Sequence, residues 1–265
     1  MTRTDQNTAK PSDLPSRLIT AIVLIPLIYL IYRGGWPALA IVLVAGAIMA
    51  TEIASILKFP VGSLSYGGMI TAVTGPAVLA VFMPEVMAQF ALFVMVAAAA
   101  VLIQLCGLWV AKVIAIALCL CLFSIVMILG MDGGSGWIVF AVVVIIAADS
   151  LAYFGGRMIG GPKLAEKISP SKTWSGALCG VSAGAIAGST MGMVLGQDPI
   201  ITGVLGLFIA DLSIGGDLLE SWFKRRYDVK DSSRILPGHG GFLDRFDGYL
   251  LALPFLYLVL VIGVV

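Results

Sequence analysis

The chain has 265 residues, of which 60% are hydrophobic and only 12% charged, with a mean hydropathy of +1.05. A soluble domain carries about 45–50% apolar and about 25% charged residues, so this composition excludes one and points to an all-α, polytopic bundle of membrane helices. The net charge of +1 supplies no global field to recruit nucleic acid. Cys106, Cys119, Cys121 and Cys179 lie inside apolar runs without close-paired spacing, which speaks against a disulfide framework or a thiolate metal site.

A polar tail, residues 1–16, precedes an apolar run from Leu18 to Tyr32 that ends at Arg33 rather than at a small-residue cleavage site. That run reads as a first span, not as a removable signal peptide. Apolar windows then predict about nine spans in all, near 17–33, 36–57, 66–83, 86–106, 109–130, 135–156, 173–195, 199–222 and 247–265. Glycine and proline mark the breaks, as at Gly34-Gly35, Pro60 to Gly62 and Gly155 to Pro162. Gly176, Gly180, Gly184 and Gly188, at four-residue spacing, would let helix backbones approach closely, within the chain or across a homodimer. With the N-terminus inside, nine spans put 15 of the 16 lysines and arginines on the inner side, only Arg33 falling outside. The organisation expected is a tail (1–16), N-terminal helices (17–130) serving as scaffold, dimer surface or lipid gate, and a C-terminal region (131–265) with inner loops 157–172 and 223–246.

Asp149 lies near the end of one apolar span, and Asp211, Asp217 and Glu220 interrupt another. An unpaired charge at such depth costs several kcal/mol, so these groups should face a wet cavity or a basic partner. Asp217 and Glu220, three apart, share a helix face. Glu52, in the second span, is open to a packing role or to none of those given to the N-terminal helices.

Downstream, Lys224-Arg225-Arg226, Lys230-Asp231, Pro237-Gly238-His239-Gly240-Gly241 and Asp244-Arg245-Phe246-Asp247 set opposed charges among glycines. Carboxylates are hard oxygen ligands for magnesium, lysine and arginine neutralise phosphate, and Gly240 and Gly241 can bring backbone amides up to an anion without obstruction. Such a set suits a polyphosphate. His239, the only histidine, could serve as a base or phosphate donor, or simply fill a turn.

Ser221-x-Phe223-Lys224-Arg225, Lys230-Asp231-Ser232-Ser233, Pro237-Gly238-His239-Gly240-Gly241 and Asp244-Arg245-Phe246-Asp247, in this order and spacing, resemble the signature of the phosphatidate cytidylyltransferases. The likeness extends upstream through Asp149, Tyr153, Gly156 and Arg157, then Ser169-Pro170-Ser171-Lys172-Thr173-Trp174, then Gly216-Asp217. It implies transfer of a cytidylyl group from CTP to phosphatidic acid, giving CDP-diacylglycerol and pyrophosphate. The setting it implies is a bacterial inner membrane, with the N-terminus and the active-site loops cytoplasmic and other membrane lipids surrounding the substrate.

The same resemblance makes Asp217 and Asp244 the expected magnesium ligands, with Asp247 a third candidate and room for a second cation. It assigns Lys224, Arg225 and His239 to catalysis. Asp149, Ser169, Lys172, Thr173, Ser221, Lys230, Asp231, Gly240, Gly241 and Arg245 are assigned to substrate binding, although the Thr173 hydroxyl could instead be a helix cap. The alternative reading is a CTP-dependent polyprenol- or phytol-type lipid kinase, which would transfer the γ-phosphate. A transporter is disfavoured, because the charge is confined to the second half and no inverted repeat is visible.

Overall fold

The computed structural model describes residues 29–82, 109–233, 235 and 240–265. Within them the chain forms helices α1 (Gly35–Ile56), α2 (Leu64–Phe82), α3 (Trp109–Leu129) and α4 (Gly134–Ile159). A two-stranded hairpin follows, β1 (Lys163–Ala165) and β2 (Ser169–Thr173), then α5 (Trp174–Val194), α6 (Pro199–Arg226), α7 (Leu243–Phe246) and α8 (Tyr249–Ile262). Helices α1 to α6 are each long and apolar enough to cross a bilayer, whereas α8 is a shorter apolar helix of 14 residues. The chain is an integral membrane helix bundle. Of the nine spans expected, those at 86–106 and 17–33 fall on residues outside the described set, except that 29–33 are helical.

Helix ends follow from local chemistry. The Asp198 carboxylate accepts the amides of Ile200 and Ile201 at 2.7 and 3.0 Å, and Pro199 takes the first helical position, so α6 starts cleanly. Thr173 caps α5 by accepting the Gly176 amide at 3.2 Å. Two helices outrun the spans expected from hydropathy. α4 continues to Ile159 and α6 to Arg226, so Arg157 and Lys224 to Arg226 ride on helices rather than in loops. A hydropathy window ends where charge begins, but helix hydrogen bonding does not. Between α4 and α5 the hairpin pairs Lys163 with Thr173 and Ala165 with Ser169, satisfying backbone groups that a loop would leave to water.

Helix α5 lies between α4 and α6, and glycine is what permits it. A methyl built on Gly180 would meet the Ala148 carbonyl at 2.9 Å, one on Gly184 the Ala210 methyl at 2.3 Å, and one on Gly188 the Thr202 carbonyl at 2.4 Å. Close backbone contact of this kind substitutes for the hydrophobic drive that lipid does not provide. The stripe expected to mediate packing is therefore used inside the chain. The remaining core joins α1, α3, α4, α6 and α8 through Ile53, Leu118, Leu122, Phe123, Phe140, Phe223 and Leu250, all buried. Leu178, Ile186, Val194, Ile200 and Val261 stay on the outer surface, as lipid-facing side chains should.

One end of the bundle gathers the polar groups. The C-terminal ends of α1, α4 and α6 meet the N-terminal ends of α3, α5 and α8 there. Glu52 near the end of α1 bonds the start of α7, Trp109 at the start of α3 lies 5.0 Å from Trp222 near the end of α6, and Arg225 reaches the Ile168 carbonyl in the hairpin at 3.4 Å. Gly188→Ala should therefore separate α5 from α6, at a cost of about 1–3 kcal/mol for overpacking. Thermal unfolding in detergent will register this as a lowered Tm, while Gly67→Ala, with nothing within 4 Å of the added methyl, should leave Tm within about a degree.

Candidate active site

Helix α6 supplies the axis of the site. Asp217, Glu220, Ser221 and Lys224 recur at three- and four-residue spacing and so share one face. Gly216 sits just before them because the Asp247 turn packs on it, and a methyl there would fall 2.3 Å from the Asp247 carbonyl oxygen. The exposed Asp211 stands apart from the cluster, earlier on the helix.

On one side of this face lies a cavity of about 640 Å³ bounded by α4, the hairpin, α5 and α6. Asp149, Tyr153, Arg157, Lys163, Lys172 and Asp217 provide its polar lining, with Gly156, Gly176 and Thr173. Lys172 pairs with Asp217 at 2.6 Å, and the Ser221 hydroxyl donates to the other Asp217 oxygen at 3.2 Å. Arg157 donates to the Tyr153 hydroxyl at 3.0 Å, one helical turn away. Thr173 lines the cavity, and its hydroxyl caps α5 as the cap reading expects.

On the other side stands a buried ionic bridge. The Lys224 ammonium lies 2.6 Å from Glu220 and 2.7 Å from Asp244, with side-chain exposures of 12% for the lysine and 0% and 7% for the two carboxylates. The buried Glu220 carboxyl has the Lys224 ammonium and the Asp244 carboxyl as its close polar neighbours, and these are what compensate its burial. Asp244 is better served, accepting the Ser232 amide at 3.0 Å and the Gly241 amide at 2.8 Å as well as Lys224. Burial works against its charge. The adjoining Glu220 carboxyl, the Lys224 ammonium and the Gly241 amide outweigh that cost and hold the Asp244 carboxyl down at about 2.

Asp247 behaves in the opposite way. Burial first, and then the Asp217 carboxylate, push its carboxyl up to about 7; the Gly248 amide and Lys224 pull it down less strongly, and Asp149 adds to the rise. Asp149, Asp217 and Asp247 thus crowd enough negative charge together to disfavour ionising the last of them. Hard carboxylate oxygens in mutual repulsion are a donor set that a divalent cation relieves. Among the described residues no three His, Cys, Asp or Glu side chains approach closely enough to enclose an ion. A cation held here would complete its shell with water and phosphate, which is magnesium's habit.

The other expected site residues are spread around these two clusters. Ser169 is on β2, Lys230 and Asp231 are exposed on the turn after α6, and Arg225 faces the hairpin. Gly240 takes φ +83°, a conformation that favours glycine, and Gly241 presses against Ser232. Arg245 borders a separate apolar cavity of about 280 Å³ with Phe242 and Phe246. His239 lies outside the described residues. One residue was passed over in the sequence. Glu52, whose role the sequence left open, accepts four hydrogen bonds from residues 232–243, just before Asp244. The rule that an intramembrane carboxylate needs a partner applied to it as well as to Asp217.

Three curated proteins named phosphatidate cytidylyltransferase share the chain's sequence over part of their length. The one from Brucella abortus biovar 1 (strain 9-941) is 51% identical over 123 residues, 46% of this chain and 45% of that protein. Those from Bacillus subtilis (strain 168) and Haemophilus influenzae (strain ATCC 51907 / DSM 11121 / KW20 / Rd) are 46% and 43% identical, over 48% and 43% of their own lengths. Each alignment thus spans less than half of the relative. The pattern of the cytidylyltransferase family, by contrast, matches residues 15–262 and takes in both polar clusters and every helix described. On that match the chain belongs to the cytidylyltransferase family.

Proposed function

We propose that the chain is a magnesium-dependent phosphatidate cytidylyltransferase of a bacterial inner membrane, joining CTP and phosphatidic acid to give CDP-diacylglycerol and pyrophosphate. The observation that carries the reading is the Lys172–Asp217 pair at 2.6 Å within a cavity of about 640 Å³ that Arg157 and Lys163 also line. Cationic donors beside hard carboxylates suit a triphosphate bound with its metal. The relatives' printed name supplies the acceptor lipid.

In this reaction a phosphate oxygen of phosphatidic acid attacks the α-phosphorus of CTP, the bond from that phosphorus to the bridging oxygen breaks, and pyrophosphate leaves from the opposite side. No covalent enzyme intermediate is needed, so alignment and charge neutralisation do the catalysis. Asp217, with Asp247 near it, and Asp244, now held by Lys224 and the Ser232 and Gly241 amides, would be the ligands of magnesium, which would supply Lewis-acid neutralisation of the phosphate oxygens. Lys172, Arg157 and Lys163 neutralise the triphosphate from the cavity wall, and Lys224 does so from the α6 face. Arg225, Lys230 and Arg245 would supply further positive charge to the triphosphate or to the lipid phosphate. Asp149 and Thr173 shape the nucleotide end.

The N-terminal helices serve as scaffold and the region from 131 onward as the catalytic unit. Gathering the basic residues at one end of the bundle supports a cytoplasmic orientation for that end, where CTP in water and phosphatidic acid in the leaflet can meet.

Two measurements test the proposal. With phosphatidic acid, purified protein should move label from α-labelled CTP into lipid, and Asp217→Asn should lower that rate by at least about 100-fold. Label reaching lipid only from the γ-position would replace this reading with a lipid kinase. For orientation, a cysteine at Lys230, exposed on the turn after α6, should react with an impermeant maleimide added from the cytoplasmic side of oriented vesicles. Reaction from the opposite side alone would reverse the topology.

A further inference from the structure

Glu52 is 1% exposed and sits one turn before the end of α1, away in sequence from the residues of the two ionic clusters. Its Oε1 accepts the Ser233 hydroxyl at 2.5 Å and the Phe242 amide at 2.9 Å; its Oε2 accepts the Ser232 hydroxyl at 3.2 Å and the Leu243 amide at 2.8 Å. Two adjacent hydroxyls and two adjacent amides are thus drawn onto one carboxylate. They mark the two ends of the segment 232–243, so Glu52 holds that segment's ends together.

Asp244 grips the same two points from the other side, through the amides of Ser232 at 3.0 Å and Gly241 at 2.8 Å. The loop neck lies between two carboxylates, one from α1 and one from α7. Gly241 is the residue that lets them close, because a methyl there would fall 1.9 Å from the Ser232 hydroxyl and 2.6 Å from Glu52 Oε1. Asp244 in turn carries Lys224 at 2.7 Å, so whatever fixes the neck fixes the Lys224 bridge to α6. A charged acceptor of four donors is stronger and stiffer than the same number of neutral hydrogen bonds.

We infer that Glu52 is a positioning residue for the reaction: it ties Ser232 and Ser233 to Phe242 and Leu243 and thereby sets Asp244 and Lys224 in register with the α6 face. The role makes α1 part of the catalytic unit rather than scaffold alone. It rests on the proposed cytidylyl transfer for its kinetic consequence, but the closed neck itself can be tested without turnover.

The test uses the full chain in detergent or lipid nanodiscs and two readouts. The first is the rate of tryptic cleavage between Lys230 and Arg245, which reports opening of the loop. Glu52→Ala should raise it about tenfold, as expected when local opening becomes easier by a charge-assisted hydrogen bond or more, and Ser55→Ala, exposed on the same helix, should leave it unchanged. The second is transfer of α-label from CTP to lipid. Glu52→Ala should lower kcat by about 100-fold through misplacement of Asp244 and Lys224, with KM for CTP moving by less than about threefold. Glu52→Gln, which keeps an acceptor at the neck, should recover part of kcat and of the protease resistance.

If Glu52→Ala does not fold, Ser233→Ala removes a single donor to the same carboxylate and should show both effects in smaller measure. Unchanged cleavage in a folded variant overturns the neck, and faster cleavage with unchanged kcat overturns its part in the reaction. Absence of α-label transfer by the wild-type chain would instead refute the cytidylyl reading, and the cleavage rates would still decide the neck.

Discussion

The arrangement turns on a single ammonium. Lys224 lies between Glu220 on its own helix and Asp244 on α7, almost out of water, and so links the long α6 to the segment after it. Taking an ion out of water costs several kcal/mol even after relaxation, so a lone Glu220 or Asp244 would not be tolerated here. Together the three groups are mutually compensating, and Asp244 gains two backbone amides besides. The energetic requirement for partners is what brings α7 onto α6. Geometry at the site is thereby a by-product of satisfying buried charge.

Close packing does the complementary task. Gly216 lets the Asp247 turn lie against α6, and Gly176, Gly180, Gly184 and Gly188 let α5 run between α4 and α6 at backbone contact. Without that approach the lysine at position 172, which precedes α5, would not reach Asp217 across the cavity. Small residues set the distance between helices, and charged residues then find partners at that distance. A bilayer favours this division, since apolar area alone gives little drive for helices to associate within lipid.

Much of this could be read from the sequence, for identifiable reasons. Membrane residence and six of the spans follow from composition and hydropathy, which need no tertiary information. The glycine stripe on α5 was visible as a four-residue period. The family signature, Ser221 through Asp247, was legible because its residues lie close together in the chain. Three things escaped. The ends of α4 and α6 did, because hydropathy falls at the first charges whereas the helix goes on to Ile159 and Arg226. The hairpin did too, because three- and five-residue strands carry too little pattern. Glu52 escaped because its partners lie at sequence separations of 180 to 191 residues, a distance at which one chain offers no periodicity to read.

The charge pattern also bears on how an anion could be accepted. Among the described residues, the cavity and bridge set Asp149, Asp217, Asp247, Glu220 and Asp244 close to Lys172, Lys224, Arg157 and Lys163, so much of the positive charge there is already matched by carboxylates. Two of its lysines are already paired with carboxylates at 2.6 and 2.7 Å. On the proposed reaction, a nucleotide arriving without a cation would meet repulsion from the carboxylates and lysines already committed to them. Magnesium held by those carboxylates would supply neutralisation of its own, and Lys172 and Lys224 would then be available to phosphate. On the proposed reaction, a balance of this kind would favour the metal–nucleotide complex over the bare triphosphate through desolvation and repulsion. The same buried pairs that hold α7 to α6 would then also set that preference.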